Sequence, residues 1–366
     1  MKIIVYTICK NEAKFVKRWY DSMQEADEIY VLDTGSTDNS VELLKQYGVH
    51  VKSAIIKPWR FDVARNESLK MVPNDADICV CTDLDEVFNK GWRQELEQIW
   101  SNTTTRCHYI YNWRLDTDNK PLVTFYYEKI HSRKHFKWVN PVHEVLNYDG
   151  IENQVTTDKI VLNHYPDATK SRSSYLALLE LAIKEDPLND RNWHYLGREY
   201  MFHQKWNKAI DTLEHHINMK EATWLDEKSA SMRFIARCYT HLYRYEEAKM
   251  WYDKAINLTS YLRDPLIEKA ILMYTLKDYN QVLKLVRKAL KISINNRSYI
   301  NEIFTFDHTA YDLLSLVYDT KKQYHKALYY VKQAIKISPH DERLQKNYDI
   351  IKQEVKYYEN TSRSKC

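Results

Sequence analysis

The sequence predicts two dissimilar halves: an α/β domain on a mostly parallel sheet over residues 1–167 and an all-α array of stacked helix pairs over residues 168–366. Three observations carry this reading. Up to about residue 100, short β-branched or apolar runs alternate with segments of helical period, the βαβα order of a parallel sheet. From about 105 to 150 the text turns aromatic and strand-like. Beyond about 168 the strand pattern vanishes, and similar helical segments recur.

In the first half, Ile3–Ile8, Glu28–Leu32, Val49–Ile56 and Asp77–Thr82 are the expected strands, with helices between them. Ligands of such a sheet bind at the carboxyl ends of its strands. CHYIYNWRL, LVTFYYEKIH, HFKWV and EVLNY then read as hairpins and irregular loops that finish the sheet and line an acceptor side.

In the second half, YLALLELAIKEDP, WNKAIDTLEHHINMK, YEEAKMWYDKAINLT, YNQVLKLVRKALKIS and YHKALYYVKQAIKISP read as successive second helices. Aligning Ala209, Ala248, Val282 and Ala327 gives spacings of 39, 34 and 45. These lie around the period of about 34 residues of tetratricopeptide repeats, with two insertions. Trp193, Leu196, Gly197 and Tyr200 keep the W-x-x-L-G-x-x-Y order of a first helix. Ala209, Ala248, Ala255 and Ala289 fall where neighbouring helices approach closely, and Pro187 and Pro339 stop second helices. The pattern gives four repeats, a leading half repeat and a polar closing helix from Asp341 to about Tyr358.

Composition narrows the function. With 44% hydrophobic and 28% charged residues the chain has an ordinary soluble composition, and a net charge of +4 with mixed signs argues against a nucleic-acid binder. The opening apolar run is too short for a secretion signal or a membrane span, and no later run reaches transmembrane length. Cys9, Cys79 and Cys81 sit inside apolar strands, as buried thiols in a reducing cytoplasm would. Neither G-x-G-x-x-G nor G-x-x-x-x-G-K-[ST] occurs, which removes the main support for dinucleotide-binding and P-loop chemistry.

Asp83-Leu84-Asp85-Glu86 follows the apolar run ADICVCT, so its carboxylates emerge at a strand's end. Two aspartates at i and i+2 in a turn can offer oxygen ligands to one divalent cation that also takes diphosphate oxygens. The same cluster can also simply start a helix or a solvated turn. Asp33-Thr34-Gly35-Ser36-Thr37-Asp38 follows the strand EIYVL. There Asp33 can accept from base or ribose donors, and Ser36 or Asp38 caps the next helix. Arg65 lies on the helix before the fourth strand and can face base or diphosphate, unless it is a surface arginine; Asp62 reads as that helix's N-cap.

ICKNE, YVLDTGSTD, PWRFDVARNESL and VCTDLDEVF, in this order and spacing, resemble the family 2 GT-A glycosyltransferases over roughly residues 1–150. The resemblance implies a nucleotide-diphospho-sugar transferase fold. It places Cys9, Asn11 and Glu12 at the border of the base pocket, Asp33 on the base, Asp83 on ribose or metal and Asp85 on metal, with Arg65 and Leu84 beside the nucleotide sugar. The implied cofactor is Mn²⁺ or Mg²⁺, and a UDP-sugar is the favoured donor.

An inverting transfer also needs a base opposite the leaving diphosphate. A related branch of the family has a His-Glu pair after its aromatic segment, which nominates Glu144 as base and His143 as metal ligand or acceptor contact. His164, in VLNHYPD, competes with His143 for the metal. Asp116 and Asp118 are alternative bases, although LDTDNKP reads first as a hairpin turn. Trp113 and Trp138 can stack on a sugar or lie in the core.

The domain order resembles bacterial glycosyltransferases that modify peptides or proteins, of the sublancin S-glycosyltransferase type. A peptide or protein acceptor is therefore expected, with the repeats as its groove or as a homodimer surface. A thiol acceptor would lessen the need for Glu144. The alternatives are a cell-surface polysaccharide or lipid-linked acceptor, and a repeat scaffold carrying a degenerate catalytic domain.

Overall fold

A computed structural model describes residues 1–167, 170, 173–292 and 298–363. They form two compact units, one running Met1–Pro187 and the other holding the helices from Leu188 onward.

The first unit is built on an eight-stranded sheet. Strands β1 (Ile3–Cys9), β2 (Glu28–Asp33), β3 (His50–Ser53) and β4 (Ile78–Cys81) run parallel in the order β3-β2-β1-β4. Their residues face apolar layers on both sides: Ile3 and Val5 pack with one, Ile4 and Tyr6 with the other. Helix α1 (Ala13–Met23) buries Phe15, Val16, Trp19 and Met23, one apolar stripe at helical spacing. Helices α2 (Ser40–Gln46), α3 (Phe61–Met71) and α4 (Trp92–Ile99) complete the layers. The third expected strand is shorter than Val49–Ile56, and pairing stops at Ser53.

The aromatic segment folds as the sequence suggests. Strands β6 (Arg106–Leu115) and β7 (Pro121–Ser132) make a long hairpin that joins the sheet through β4, and β8 (Phe136–Val139) pairs with β9 (Val145–Tyr148). Two strands were not foreseen. The short β5 (Glu86–Phe88) and β10 (Gln154–His164) close the far edge in the order β7-β6-β10-β5. Period-two alternation breaks in β10, where Asp158 and Lys159 are exposed side by side.

The boundary also moves. Helix α5 (Tyr175–Glu185), expected among the repeats beyond residue 167, groups with the first unit. Arg60 takes Glu185 in a two-pronged ion pair at 2.6 and 2.9 Å, and Phe61 meets Tyr175 edge to face. Asp62 is not the N-cap of α3. It is the second helical residue, and it pairs with Arg60, which occupies the cap.

The second unit stacks four helix pairs: α6 (Asp190–Phe202) with α7 (Trp206–Asn218), α8 (Leu225–His241) with α9 (Tyr245–Leu258), α10 (Asp264–Thr275) with α11 (Tyr279–Leu290), and α12 (Thr309–Thr320) with α13 (Tyr324–Ile337). Helix α14 (Glu342–Arg363) follows them. Ala209, Ala248, Ala255 and Ala289 are all fully buried. A Cβ on Gly197 would lie 2.4 Å from Leu213 Cγ, so α6 and α7 touch where only glycine fits. Each pair turns through one left-handed residue, Gln204, Tyr243, Lys277 and Lys322, and these repeat the spacings of the aligned second helices. Among the described residues no helix is long and apolar enough to cross a membrane.

Candidate functional site

The carboxyl ends of β1, β2 and β4 carry three turns that brace one another. In the turn after β2, the Asp33 carboxylate is buried and accepts from the backbone N–H groups of Gly35 at 3.3 Å and Ser36 at 3.1 Å. Ser36 Oγ accepts from Asn11 N at 2.9 Å, and Asn11 Oδ1 accepts from Thr37 N at 2.7 Å. Asp38 serves two helices at once, accepting from Ala13 N at the start of α1 and from Ser40 N at the start of α2. After β4, Thr82 is held on both sides: Thr7 Oγ1 donates to its carbonyl, and its hydroxyl accepts from Trp19 Nε1 at 2.9 Å.

From that anchored point Asp83 projects between two cations. Arg65 Nη2 donates to its Oδ1 at 2.5 Å and Lys129 Nζ to its Oδ2 at 3.1 Å. Burial opposes the charge, but these neighbours hold the Asp83 carboxyl far below the usual range. Arg65, itself buried, also donates from Nε to Glu144 Oε1 at 3.0 Å. Asn66, next to it on α3, exchanges hydrogen bonds with the backbone of Trp138 at 2.8 and 3.0 Å. The helix therefore fixes β8 with one residue and the carboxylates with the other. Glu86 accepts from Asp83 N and from the Tyr111 hydroxyl, both at 2.8 Å, and burial pushes its carboxyl up.

Asp85 meets a different partner. Antiparallel pairing of β5 with β10 sets His164 opposite Glu86, and His164 Nε2 lies 3.5 Å from Asp85 Oδ2. The other ring nitrogen, Nδ1, lies 3.0 Å from the Trp113 carbonyl, which can only accept, so Nδ1 carries a proton. Burial works against the charged ring, but Asp85 raises the His164 pKa overall. Glu12 is buried close by. Its Oε1 pairs with Lys170, while Oε2 is buried without a hydrogen-bond partner. Burial, reinforced by the charges of Asp85 and Asp83 and opposed by Lys170, pushes the Glu12 carboxyl up to about 7.

These donors fit a divalent cation at Asp85 and His164: a carboxylate oxygen faces an imidazole nitrogen whose opposite N–H is fixed by a carbonyl, the usual support of a metal-binding histidine. Asp83 fits less well, because both its oxygens already face cations. Among the described residues Asp83, Asp85, His143 and His164 do not bring three ligand atoms within 4.8 Å.

Residues 4–148, which supply all three turns and Glu144, match glycosyl transferase family 2, and residues 234–260 and 308–341 match the tetratricopeptide repeat. The first unit thus carries a match to the family 2 glycosyltransferase domain. An uncharacterized glycosyltransferase of Rickettsia bellii (strain RML369-C) is 26% identical over 54% of this chain and 60% of its own length. The SPbeta prophage-derived glycosyltransferase SunS of Bacillus subtilis (strain 168) is 28% identical over 59% of this chain and 52% of its own. The lipopolysaccharide core biosynthesis glycosyltransferase LpsC of Rhizobium meliloti (strain 1021) is 25% identical over 31% of this chain and 42% of its own. This chain thus spans about two fifths to three fifths of the length of these relatives.

Within the glycosyltransferase domain the expected site residues separate into groups. Glu12, Arg65, Asp83, Asp85, Glu144 and His164 share one charge network. His143 turns its ring toward Tyr175 of α5, with centroids 5.8 Å apart. Leu84 points into the core, so only its backbone can touch a ligand, and the Cys9 thiol is buried, its pKa raised to about 12 by that burial. Trp138 is a core residue whose Nε1 donates to Tyr6, which removes it as a stacking surface; Trp113 is exposed. Asp116 is committed to the hairpin turn, accepting from Asp118 N and Lys120 N at 2.8 Å.

Sequence reasoning missed Lys129, Glu86, Tyr111 and Lys170. Lys129 had a usable mark, since it shares a strand face with Tyr127 and His131 at period two, where an inward lysine needs a carboxylate.

Proposed function

We propose that this protein is a metal-dependent, inverting glycosyltransferase that moves a sugar from a nucleotide-diphosphate donor, a UDP-sugar first, to a peptide or protein acceptor. The observation that carries the reading is the single network in which Arg65 joins Asp83 to Glu144 while Asp85 faces His164 at the carboxyl edge of the sheet.

In this reading Asp33 and the turn laced to Asn11 hold the base. Asp83, kept ionised and oriented by Arg65 and Lys129, accepts from a ribose hydroxyl rather than binding metal. Asp85 and His164 hold the cation, and the mixed oxygen and nitrogen donors favour Mn²⁺ over Mg²⁺. When bound, that ion offsets charge on the departing diphosphate. Glu144, fixed by Arg65, takes the acceptor proton, and His143 contacts the acceptor.

The repeat unit supports a peptide acceptor, since stacked helix pairs offer extended binding surfaces. A lipid-linked or polysaccharide acceptor is the second reading, favoured by the similarity to a lipopolysaccharide core biosynthesis enzyme. Incubation with UDP-sugars and Mn²⁺ tests the activity: sugar-nucleotide turnover abolished in Asp85→Asn is expected, and equal turnover in both proteins overturns the assignment. Product mass spectrometry with peptide and glycolipid acceptors separates the two readings.

A further inference from the structure

A second group of ligand-type side chains lies in the repeat unit, outside the glycosyltransferase domain. Asp190 opens α6, His216 sits in the last turn of α7, and Glu227 lies in the first turn of α8. One ligand atom from each lies within 4.8 Å of the others. His216 is fully buried, Glu227 almost so, and Asp190 half-buried.

The histidine makes this more than an acidic cluster. Its Nε2 is buried without a hydrogen-bond partner, and Glu227 Oε1 stands 3.6 Å away, too far to accept a proton from it. The ring is fixed from behind: Nδ1 lies 2.9 Å from Ser231 Oγ, which in turn lies 2.8 Å from His194 Nδ1. Ser231 Oγ, able both to donate and to accept, thus links the two rings. With its ring held in this way, His216 turns the buried, unpartnered Nε2 toward Glu227 Oε1. A cation between them resolves that arrangement.

We propose that Asp190, His216 and Glu227 bind one divalent metal ion, zinc by its chemistry, at the junction of α6, α7 and α8. Imidazole nitrogen with carboxylate oxygen is a zinc donor set, and three protein ligands leave a fourth position for water. A 2+ ion balances the two carboxylates. Arg191 Nε, 3.8 Å from Glu227, faces Oε2, the oxygen turned away from His216. Tetrahedral ligands at about 2.0–2.2 Å from zinc stand roughly 3.3–3.6 Å apart, and His216 Nε2 and Glu227 Oε1 already lie 3.6 Å apart. The ion then staples the first repeat to the second. Ser231 is a positioning residue that aims His216.

The test is zinc binding by the full chain after chelator treatment, titrated against a chromophoric chelator, with melting temperature as a second readout. Wild type should bind one more zinc than His216→Gln and melt at a higher temperature with zinc than without. Asp85→Asn should keep this zinc, which separates it from any ion held by the glycosyltransferase domain. Asp190→Asn, at a half-buried position that tolerates an amide, should weaken binding at least tenfold with an unchanged circular dichroism spectrum. Ser231→Ala should weaken it less. Equal zinc stoichiometry and affinity in wild type and folded Asp190→Asn would overturn the proposal, whatever the behaviour of His216→Gln.

Discussion

Arg65 holds Glu144 at 3.0 Å with the same guanidinium that binds Asp83 at 2.5 Å. One buried side chain on α3 thus sets the position of two carboxylates from different strand ends. Glu144→Gln keeps an oxygen for Arg65 Nε but removes the basic site. Transfer should fall by roughly 10²- to 10⁴-fold while UDP affinity, read by calorimetry, changes little. Retained transfer would point to another base or to a thiol acceptor.

Arg65→Met should be more damaging, because it leaves Asp83 and Glu144 without their shared partner. Breaking a buried pair costs about 3–5 kcal/mol, and the partial exposure of Asp83 brings the expected loss to about 2–3 kcal/mol in urea unfolding. Arg65→Lys should restore part of the stability and little of the turnover, since an ammonium cannot reach both carboxylates in the fork geometry. Full activity in Arg65→Lys would show that the fork is not needed.

Asp85 and His164 should matter for the metal and not for folding. Asp85→Asn and His164→Ala are each expected to weaken Mn²⁺-dependent UDP binding at least tenfold, with melting temperatures close to wild type in the absence of metal. In Asp83→Asn, nucleotide affinity should fall with and without Mn²⁺. A selective loss of metal dependence in Asp83→Asn would reverse the roles assigned to the two aspartates.

Acid should destabilise the glycosyltransferase domain through His131. Its Nδ1 faces the Ser132 carbonyl and its Nε2 accepts from the Tyr6 hydroxyl at 2.8 Å, so neither nitrogen has room for a further proton. Burial lowers its pKa from 6.5 to about 3. The folded state therefore binds fewer protons than the unfolded state between these values. The contribution to stability is complete above pH 6.5 and declines as pH falls toward 3, by about 2 kcal/mol at pH 5. Urea midpoints at pH 7 and pH 5 measure it, and His131→Asn should flatten the difference.

Gly197→Ala should destabilise the repeat unit by about 1–3 kcal/mol, because the new methyl overlaps Leu213. Adding Leu213→Ala should relieve the overlap but open space of its own, so the pair should melt below wild type. A melting temperature unchanged in Gly197→Ala would mean that α6 and α7 separate easily.

Much of the molecule could be read directly from local patterns. The parallel strands at Ile3, Glu28 and Ile78, the aromatic hairpins and the four helix pairs follow from apolar periods that act over a few residues. The acidic turns at Asp33 and Asp83 follow because a strand that ends in a carboxylate must present it at the sheet's edge. The pairing of these groups was another matter. His164 reaches Asp85 only because β10, weakly patterned, crosses to pair with β5, and Lys129 reaches Asp83 because β7 lies beside β4.

The same limit explains the corrections. Leu84 looked available because it lies between motif aspartates, yet it fills a core that the neighbouring strands enclose, and Trp138 takes the core placement that the sequence left open beside stacking. Helix α5 reads as a repeat helix by its apolar spacing, but Arg60 captures its last residue, Glu185, for the first unit. By itself the sequence determined the elements, their two periods and the acidic turns, because dihedral preference and side-chain alternation are local. Only the tertiary structure decided which charge met which, because strand order brings together residues that no local pattern relates.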